Sequence, residues 1–394
     1  MREDHGACVP AQWRLIRGRV ALAILNSTSA GKEGVVEAII DCDIHPLVRG
    51  GPATLERYLS TAERARRSDS GVGSQHGSTA RPINRYMNPS PGLIKGALRA
   101  DAAPPTGEAP GTDPQFVVED LLDRFGARAA LMIPIPYGVW LDPRNAGPLV
   151  SAMNQYFIDE WLSVDPRFRL NACVFPVDVE EAAAEIRKRA ADPRVAGIFM
   201  PLISTLMGDV HYDPIYRAAA ENGLPIVIHP TGAEGTYPIA PPLAGGVPST
   251  YTERHIGLCQ VAAANVISLV GGGTFDRFPD LKVVFAEYGY TWAAPLMWRM
   301  DHEASRLATG LERHPIEYMI ENIRYCSQPV EEPTRPREMV QMVEMMGGDQ
   351  TLMFSTDYPH WDTDNPSSIL GNLKGELRNR VFYENARETF AGRL

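Results

Sequence analysis

Two short stretches near opposite ends of the chain carry side chains that bind metal ions. Asp43 and His45 end an apolar run that begins at Ala38, and Asp357 and His360 follow a second apolar run. Carboxylate oxygen together with imidazole nitrogen suits Zn²⁺, Fe²⁺ or Mn²⁺. Because the two stretches lie more than 300 residues apart, the fold must bring them together. A closed barrel does so, since its first and last strands lie side by side.

Further side chains of the same kind stand at the ends of other apolar runs. His229 alone would more simply be a core histidine, and Glu287 alone a buried ion-pair member. Taken together they favour a metal centre, because buried carboxylates without compensation are costly. The candidate metal ligands are Asp43, His45, His229, His255, Glu287 and Asp357. The candidate catalytic residues are His360 and Glu253, and either His360 or His255 can act as a general acid or base.

The number of metal ions stays open at this point. A mononuclear site takes three or four protein ligands, and the candidates outnumber that. A carboxylated lysine bridge is not expected, because none of the five lysines ends a predicted strand. A second ion would therefore have to use carboxylates such as Glu287, Glu253 or Asp357.

Short apolar runs alternate with helical patterns along the chain, which predicts an α/β fold. The predicted strands are Glu37–Cys42, Arg128–Ile133, Arg169–Phe175, Val195–Met200, Pro225–His229, Lys282–Glu287, Ile323–Ser327 and Thr351–Thr356. Eight strands with alternating helices imply a (β/α)₈ TIM barrel. The alternative, an open doubly wound sheet, would require a glycine-rich phosphate loop, and the chain has no GxGxxG motif.

The domain organisation follows from where this alternation begins and where it breaks. Residues 36–394 are predicted to form one barrel domain, and residues 1–35 a flexible N-terminal tail. Residues 46–115, rich in Gly, Pro, Ser and Arg, form a long insertion after the first strand. Loops of this length are usually lids or disordered segments, and we expect this one to act as a lid over the carboxyl ends of the strands.

Composition excludes several classes of function. The chain has 394 residues, 44% hydrophobic, and a net charge of -10. This charge argues against a broad nucleic-acid surface, and the absence of an apolar run of about 18 residues argues against a membrane span. The five cysteines show no CxxC spacing, which is typical of reduced thiols in the cytoplasm.

The chain resembles the amidohydrolase-related (amidohydrolase 2) family of metal-dependent barrels from Ile39 to Leu394. The matching motifs are Ile40–Pro46, Pro225–His229, Phe275–Lys282, Phe354–His360 and Asn385-Ala386. This family includes aminocarboxymuconate semialdehyde decarboxylase and the resorcylate decarboxylases. By position, the resemblance implies metal-binding roles for Asp43, His45, His229 and Asp357. It leaves the oligomeric state open, although many family members are homodimers.

The chain also resembles one branch of that family through Glu287, Glu253–His255 and Asp357–Asp362. The branch includes the nonheme diiron monooxygenase of platensimycin and platencin biosynthesis. It implies two Fe ions, O₂, an external reductant and hydroxylation of a CoA-linked, terpenoid-like acyl substrate in secondary metabolism. The leading hypothesis is therefore an oxidoreductase of this kind. The alternative is a mononuclear Zn- or Mn-dependent decarboxylase or hydrolase. A third possibility is a non-enzymatic barrel with a structural metal.

Overall fold

The structure, a computed structural model, describes most of the chain. It covers residues 38–69, 98–136, 146–235, 237, 239–304, 310–366 and 368–394. The predicted tail, residues 1–35, lies outside these ranges, and so do residues 70–97 of the predicted lid.

Eight parallel strands form one sheet in which sequence order is also spatial order. The strands are β1 Ile39–Ile44, β2 Ala127–Met132, β3 Phe168–Cys173, β4 Val195–Phe199, β5 Ile226–Ile228, β6 Val283–Phe285, β7 Ile323–Cys326 and β8 Leu352–Met353. Backbone hydrogen bonds join the two ends of the sheet, from Cys42 N to Phe354 O and from Asp357 N to Asp43 O. The predicted (β/α)₈ barrel is confirmed, with each predicted strand in place.

Helices follow the strands and cover the outside of the barrel. They are α1 Thr61–Asp69, α2 Pro114–Val117, α3 Ala146–Glu160, α4 Val179–Arg189, α5 Asp213–Glu221, α6 Tyr251–Gly271, α7 Thr274–Arg277, α8 Ala293–Ala304, α9 Pro315–Asn322, α10 Pro336–Met345, α11 Gly348–Thr351, α12 Gly375–Asn379 and α13 Asn385–Thr389. Short 3₁₀ segments are Pro52–Tyr58, Ala100–Ala102 and Val210–Tyr212, and π-helical turns are Val118–Asp123 and Arg380–Glu384. No helix in the described part of the chain is long and apolar enough to span a bilayer.

The strands are apolar on both faces because both faces are covered, as expected for a parallel sheet. Every residue of β4, β5 and β6 is buried. Local signals set the helix starts: Asp178 accepts a hydrogen bond from Glu181 N at the start of α4, and Thr250 and Glu253 form a capping box at the start of α6. The barrel therefore fixes where each strand ends, and so where the polar residues gather.

The described ends of the 46–115 insertion pack beside the carboxyl ends of the strands. Leu98 forms an antiparallel bridge with His360, and Arg99 N donates to Pro359 O. Gly111 lies so close to β1 that a Cβ atom there would stand 2.8 Å from the carbonyl oxygen of His45. The insertion thus touches the rim of the barrel, while its action as a lid stays a prediction.

Candidate metal centre

Four predicted ligands converge at the carboxyl ends of three strands. Asp43 and His45 come from the end of β1, His229 follows β5, and Asp357 follows β8. One ligand atom from each lies within 4.8 Å of all the others. All four side chains are at most 2% exposed. The barrel therefore brings together residues that the sequence separates by up to 314 positions.

The polar atoms of this cluster have the pattern expected of an ion-binding cage. Both carboxylate oxygens of Asp43, Oδ2 of Asp357 and Nε2 of both His45 and His229 have no hydrogen-bond partner among the described residues. His45 Nδ1 lies 2.9 Å from Ile133 O, and His229 Nδ1 lies 2.6 Å from Pro230 O.

These backbone contacts assign the proton of each neutral imidazole to Nδ1. The lone pair on Nε2 then points to the shared space, as in histidines that bind metals. A divalent cation would be held by one ligand atom from each of the four residues, so the residues present fit a metal ion.

The electrostatics of the cluster agree with this interpretation. Burial by itself would raise the pKa of Asp43, but the imidazoles of His229 and His45 lower it below its ordinary value. Burial would lower the pKa of His229, yet Asp43 and Glu287 raise it to about 9. In the absence of a cation the histidines therefore hold protons that neutralise the carboxylates. A bound cation would displace those protons.

Asp41 holds the ends of β1 and β8 together beneath the cage. Its carboxylate accepts hydrogen bonds from Thr356 Oγ1 at 2.6 Å, Thr356 N at 3.0 Å and Asp43 N at 3.2 Å. Asp357, which follows Thr356 in the chain, has a φ of 62°. This left-handed conformation is uncommon for residues other than glycine. Sequence reasoning did not identify Asp41, although its position two residues before Asp43 in an alternating strand was a usable signal.

Glu287 and His255 lie next to the cage rather than among its four ligands. Glu287 Oε2 is 3.0 Å from His229 Nε2, and His255 Nε2 is 3.5 Å from both Glu287 Oε1 and Asp362 Oδ2. Glu287 also has a positive φ, 59°. Metal ligation by Glu287 and His255 stays a prediction. Asp362 was part of a recognised motif, but the sequence analysis gave it no role.

The two predicted catalytic residues fall in different places. His360 Nδ1 is 2.7 Å from Asp357 Oδ1, and its ring stacks on that of His45 with centroids 4.5 Å apart. Glu253 instead accepts hydrogen bonds from Ser249 N and Thr250 N at the start of α6. Its carboxylate is engaged in capping the helix, so the structure gives no geometric support for the predicted role in catalysis.

Comparison with known proteins places this chain in a family and finds proteins that are similar to it. The amidohydrolase family model matches residues 40–391. A gamma-resorcylate decarboxylase from Polaromonas sp. is 22% identical over 273 residues, covering 63% of this chain and 78% of its own. The 2-amino-3-carboxymuconate-6-semialdehyde decarboxylase of Dictyostelium discoideum is 22% identical over 257 residues, covering 63% of this chain and 67% of its own.

Solved structures show the same fold at low sequence identity. An amidohydrolase from Mycobacterium avium subsp. paratuberculosis has a TM-score of 0.66 at 19% identity, covering 91% of this chain and 100% of its own. A dihydroxybenzoic acid decarboxylase from Polaromonas sp., with bound manganese and the inhibitor 2-nitroresorcinol, has a TM-score of 0.59 at 17% identity. That match covers 90% of this chain and 97% of its own.

These findings correct the leading functional prediction. The expected diiron monooxygenase is wrong, because the relatives are decarboxylases and a neighbouring structure holds manganese. Two Fe ions are likewise not supported, since the described cage offers four ligands that fit one ion. O₂, a reductant and a CoA-linked substrate have no support either. The error arose because oxygen and imidazole ligands suit Fe, Mn and Zn alike, so ligand type could not select the metal.

Proposed function

Because the chain belongs to the amidohydrolase family, we propose that it is a decarboxylase of an aromatic carboxylic acid that uses a single divalent metal ion, Mn²⁺ or Zn²⁺. The observation that carries this proposal is the buried cage of Asp43, His45, His229 and Asp357, whose ligand atoms lie within 4.8 Å of one another. The decarboxylases among the relatives support the reaction class. We propose an aromatic acid as the small-molecule substrate. A structural neighbour, 2,6-dihydroxybenzoate decarboxylase, supports this choice through the acid in its name.

Asp43, His45, His229 and Asp357 would hold the ion and so set where the substrate lies. When bound, the cation would act as a Lewis acid that orients the substrate and stabilises negative charge as it develops. Asp41 positions the cage, because its hydrogen bonds tie Asp43 and Thr356 together across the closure of the barrel. The neighbouring rim carries aromatic side chains, among them Tyr251, whose ring lies 5.6 Å from that of His255.

His360 is the residue that we assign to proton transfer. Its Nδ1 contact with Asp357 at 2.7 Å orients the ring, and Nε2 is the atom that gives the proton. The bond between the carboxyl carbon and the ring carbon breaks and CO₂ leaves. The electron pair stays on the ring carbon, which takes the proton from His360, and water restores that proton.

We also propose that the described end of the insertion, residues 98–115, forms a wall of the substrate pocket. The contacts of Leu98 with His360 and of Arg99 with Pro359 support this role, since both lie beside the residue that transfers the proton. Excluding water at that point would strengthen the electrostatic interactions of the site.

The test is CO₂ release under anaerobic conditions by protein loaded with Mn²⁺ or Zn²⁺, on a panel of hydroxybenzoic acids. We expect turnover that is lost on chelation and restored by the metal. His360→Gln should lower kcat by about a hundredfold or more with metal content unchanged. Glu253→Gln, which alters an exposed helix cap, is the control and should keep kcat near that of the parent. Absence of CO₂ release from every acid, with metal analysis showing a loaded site, would overturn the proposal.

A further inference from the structure

Tyr358 lies between a metal ligand and the residue that we assign to proton transfer. His360 N donates a hydrogen bond to Asp357 O at 2.9 Å, so residues 357–360 form a tight turn that contains Tyr358. The two ends of this turn also meet through their side chains, since His360 Nδ1 lies 2.7 Å from Asp357 Oδ1. The orientation of the turn therefore decides where the imidazole of His360 lies relative to the cage.

The barrel holds the first half of this turn through its backbone. Asp357 N donates to Asp43 O at 3.0 Å, and Tyr358 O accepts from His45 N at 2.7 Å. Asp357 has a φ of 62°, and such a conformation persists in a residue other than glycine only where the surroundings hold it. The second half of the turn, which carries His360, has no backbone hydrogen bond to a strand among the described residues.

The side chain of Tyr358 gives the turn a further anchor, on a segment outside the cage. Tyr358 is 2% exposed, and its hydroxyl donates to Asp120 Oδ2 at 3.1 Å. Asp120 lies in the π-helical turn Val118–Asp123, and its other carboxylate oxygen is 3.3 Å from Arg124 Nη1. Burial and the Asp120 carboxylate both raise the pKa of the Tyr358 hydroxyl, so the hydroxyl keeps its proton and remains a donor at neutral pH.

We propose that Tyr358, through its bond to Asp120, is a positioning residue for proton transfer, because it holds the turn so that His360 keeps one orientation beside the cage. This inference rests on the proposed function, since it takes His360 to transfer the proton. A tyrosine with a structural role alone would contribute only to stability. A positioning residue would also affect kcat, because a small displacement of a reacting group lowers the rate steeply.

Tyr358→Phe tests this role by removing the hydroxyl alone. In Mn²⁺-loaded protein acting on an acid that the parent decarboxylates, we expect kcat to fall about tenfold or more. KM and Mn²⁺ content should each stay within about threefold of the parent, because the backbone bonds at Asp357 and the other three ligands are kept. Asp120→Ala should lower kcat by a similar factor, and the double variant should lose little more, since both changes break one bond.

Tyr212→Phe is the matched control. It removes the hydroxyl of another buried tyrosine, which donates to Thr205 O at 2.7 Å and has no hydrogen bond to a cage residue among the described residues. Its urea midpoint should fall about as much as that of Tyr358→Phe, whereas its kcat should stay near that of the parent.

A second measurement does not depend on turnover. In Zn²⁺-loaded protein with ¹⁵N-labelled histidine, the ring signals of His360, assigned by their loss in His360→Gln, report whether the imidazole keeps one orientation. Tyr358→Phe should broaden or split these signals, while those of His45 and His229 should stay as in the parent.

The proposal is overturned if Tyr358→Phe keeps the kcat of the parent, or if kcat falls only in proportion to lost metal. A fall in kcat with unchanged His360 signals would also overturn it, because the imidazole would not have moved. If the parent decarboxylates no acid, the decarboxylase is rejected and the His360 signals decide alone. Broadened signals would then retain the positioning role, and unchanged signals would reject it.

Discussion

Replacing Asp41 by Asn tests how the buried carboxyl group beneath the cage makes the stability of the protein depend on pH. Asp41 is 1% exposed, and burial raises its pKa from 3.8 to about 7, against the opposing effect of the hydrogen bonds from Thr356. The unfolded chain therefore loses this proton at lower pH than the folded protein does. The folded state is destabilised progressively as pH rises from about 3.8, and the effect levels off above about pH 7.

The size of this destabilisation follows from how far the pKa of Asp41 is raised. A pKa change from 3.8 to about 7 corresponds to roughly 4 kcal/mol at ~1.36 kcal/mol per pH unit. About 2.5 kcal/mol of this falls between pH 5 and pH 8. Asn has no such ionisation. It loses one acceptor toward Thr356 Oγ1, which costs about 1 kcal/mol at either pH. Asp41→Asn should therefore be near neutral or slightly stabilising, by about 0.5 kcal/mol, at pH 5 relative to the parent and clearly stabilising, by about 3 kcal/mol, at pH 8.

The assay is urea unfolding of the chelator-treated protein at pH 5, 6.5 and 8. The quantity of interest is the difference in free energy of unfolding between Asp41→Asn and the parent. It should shift in favour of the variant by roughly 2.5 kcal/mol from pH 5 to pH 8. Asp349→Asn, at an exposed position, should show no comparable trend. A difference for Asp41→Asn that stays constant across this range would refute the reasoning.

Three other predictions concern the cage and the buried charges around it. Asp357→Asn should weaken Mn²⁺ binding at least tenfold, because it removes a charged ligand, and equilibrium dialysis measures this. Mn²⁺ at about a hundred times its Kd should raise the free energy of unfolding by roughly 2.7 kcal/mol, read from the urea midpoint, whereas an unchanged midpoint would speak against a cage. Arg254→Met should cost about 3–5 kcal/mol, because it removes the cation from a buried ion pair in which Arg254 Nη1 lies 3.2 Å from Glu234 Oε2. Arg124→Met, at a position that is 56% exposed, should cost less than about 1 kcal/mol in the same unfolding assay.

Local pattern was sufficient to predict the barrel and four residues of the candidate metal centre. Strands buried on both faces appear as continuous apolar runs, and the residue after each run is placed at the carboxyl edge by geometry alone. Asp43, His45, His229 and Asp357 could be identified in this way without any knowledge of the fold. The helix starts at Asp178 and Thr250 were equally local, since caps depend on residues a few positions apart.

The capping box bears on the prediction made for Glu253. Glu253 has the residue type of a catalytic group, but its place three residues after Thr250 lets it bond to the backbone at the start of α6. That local bond competes with any role at the rim. Residue type alone does not distinguish the two uses.

The sequence by itself determined the architecture, the edge of the sheet at which polar residues gather and the chemical types of the ligands. Only the tertiary structure decided which candidates share one space, because that depends on contacts such as Asp41 with Thr356, 315 positions apart. It placed four of the candidates within 4.8 Å of one another, with Glu287 beside His229, and it revealed Asp362 as a neighbour of His255. Distances between strand ends are set by closure of the barrel, and no local pattern encodes them.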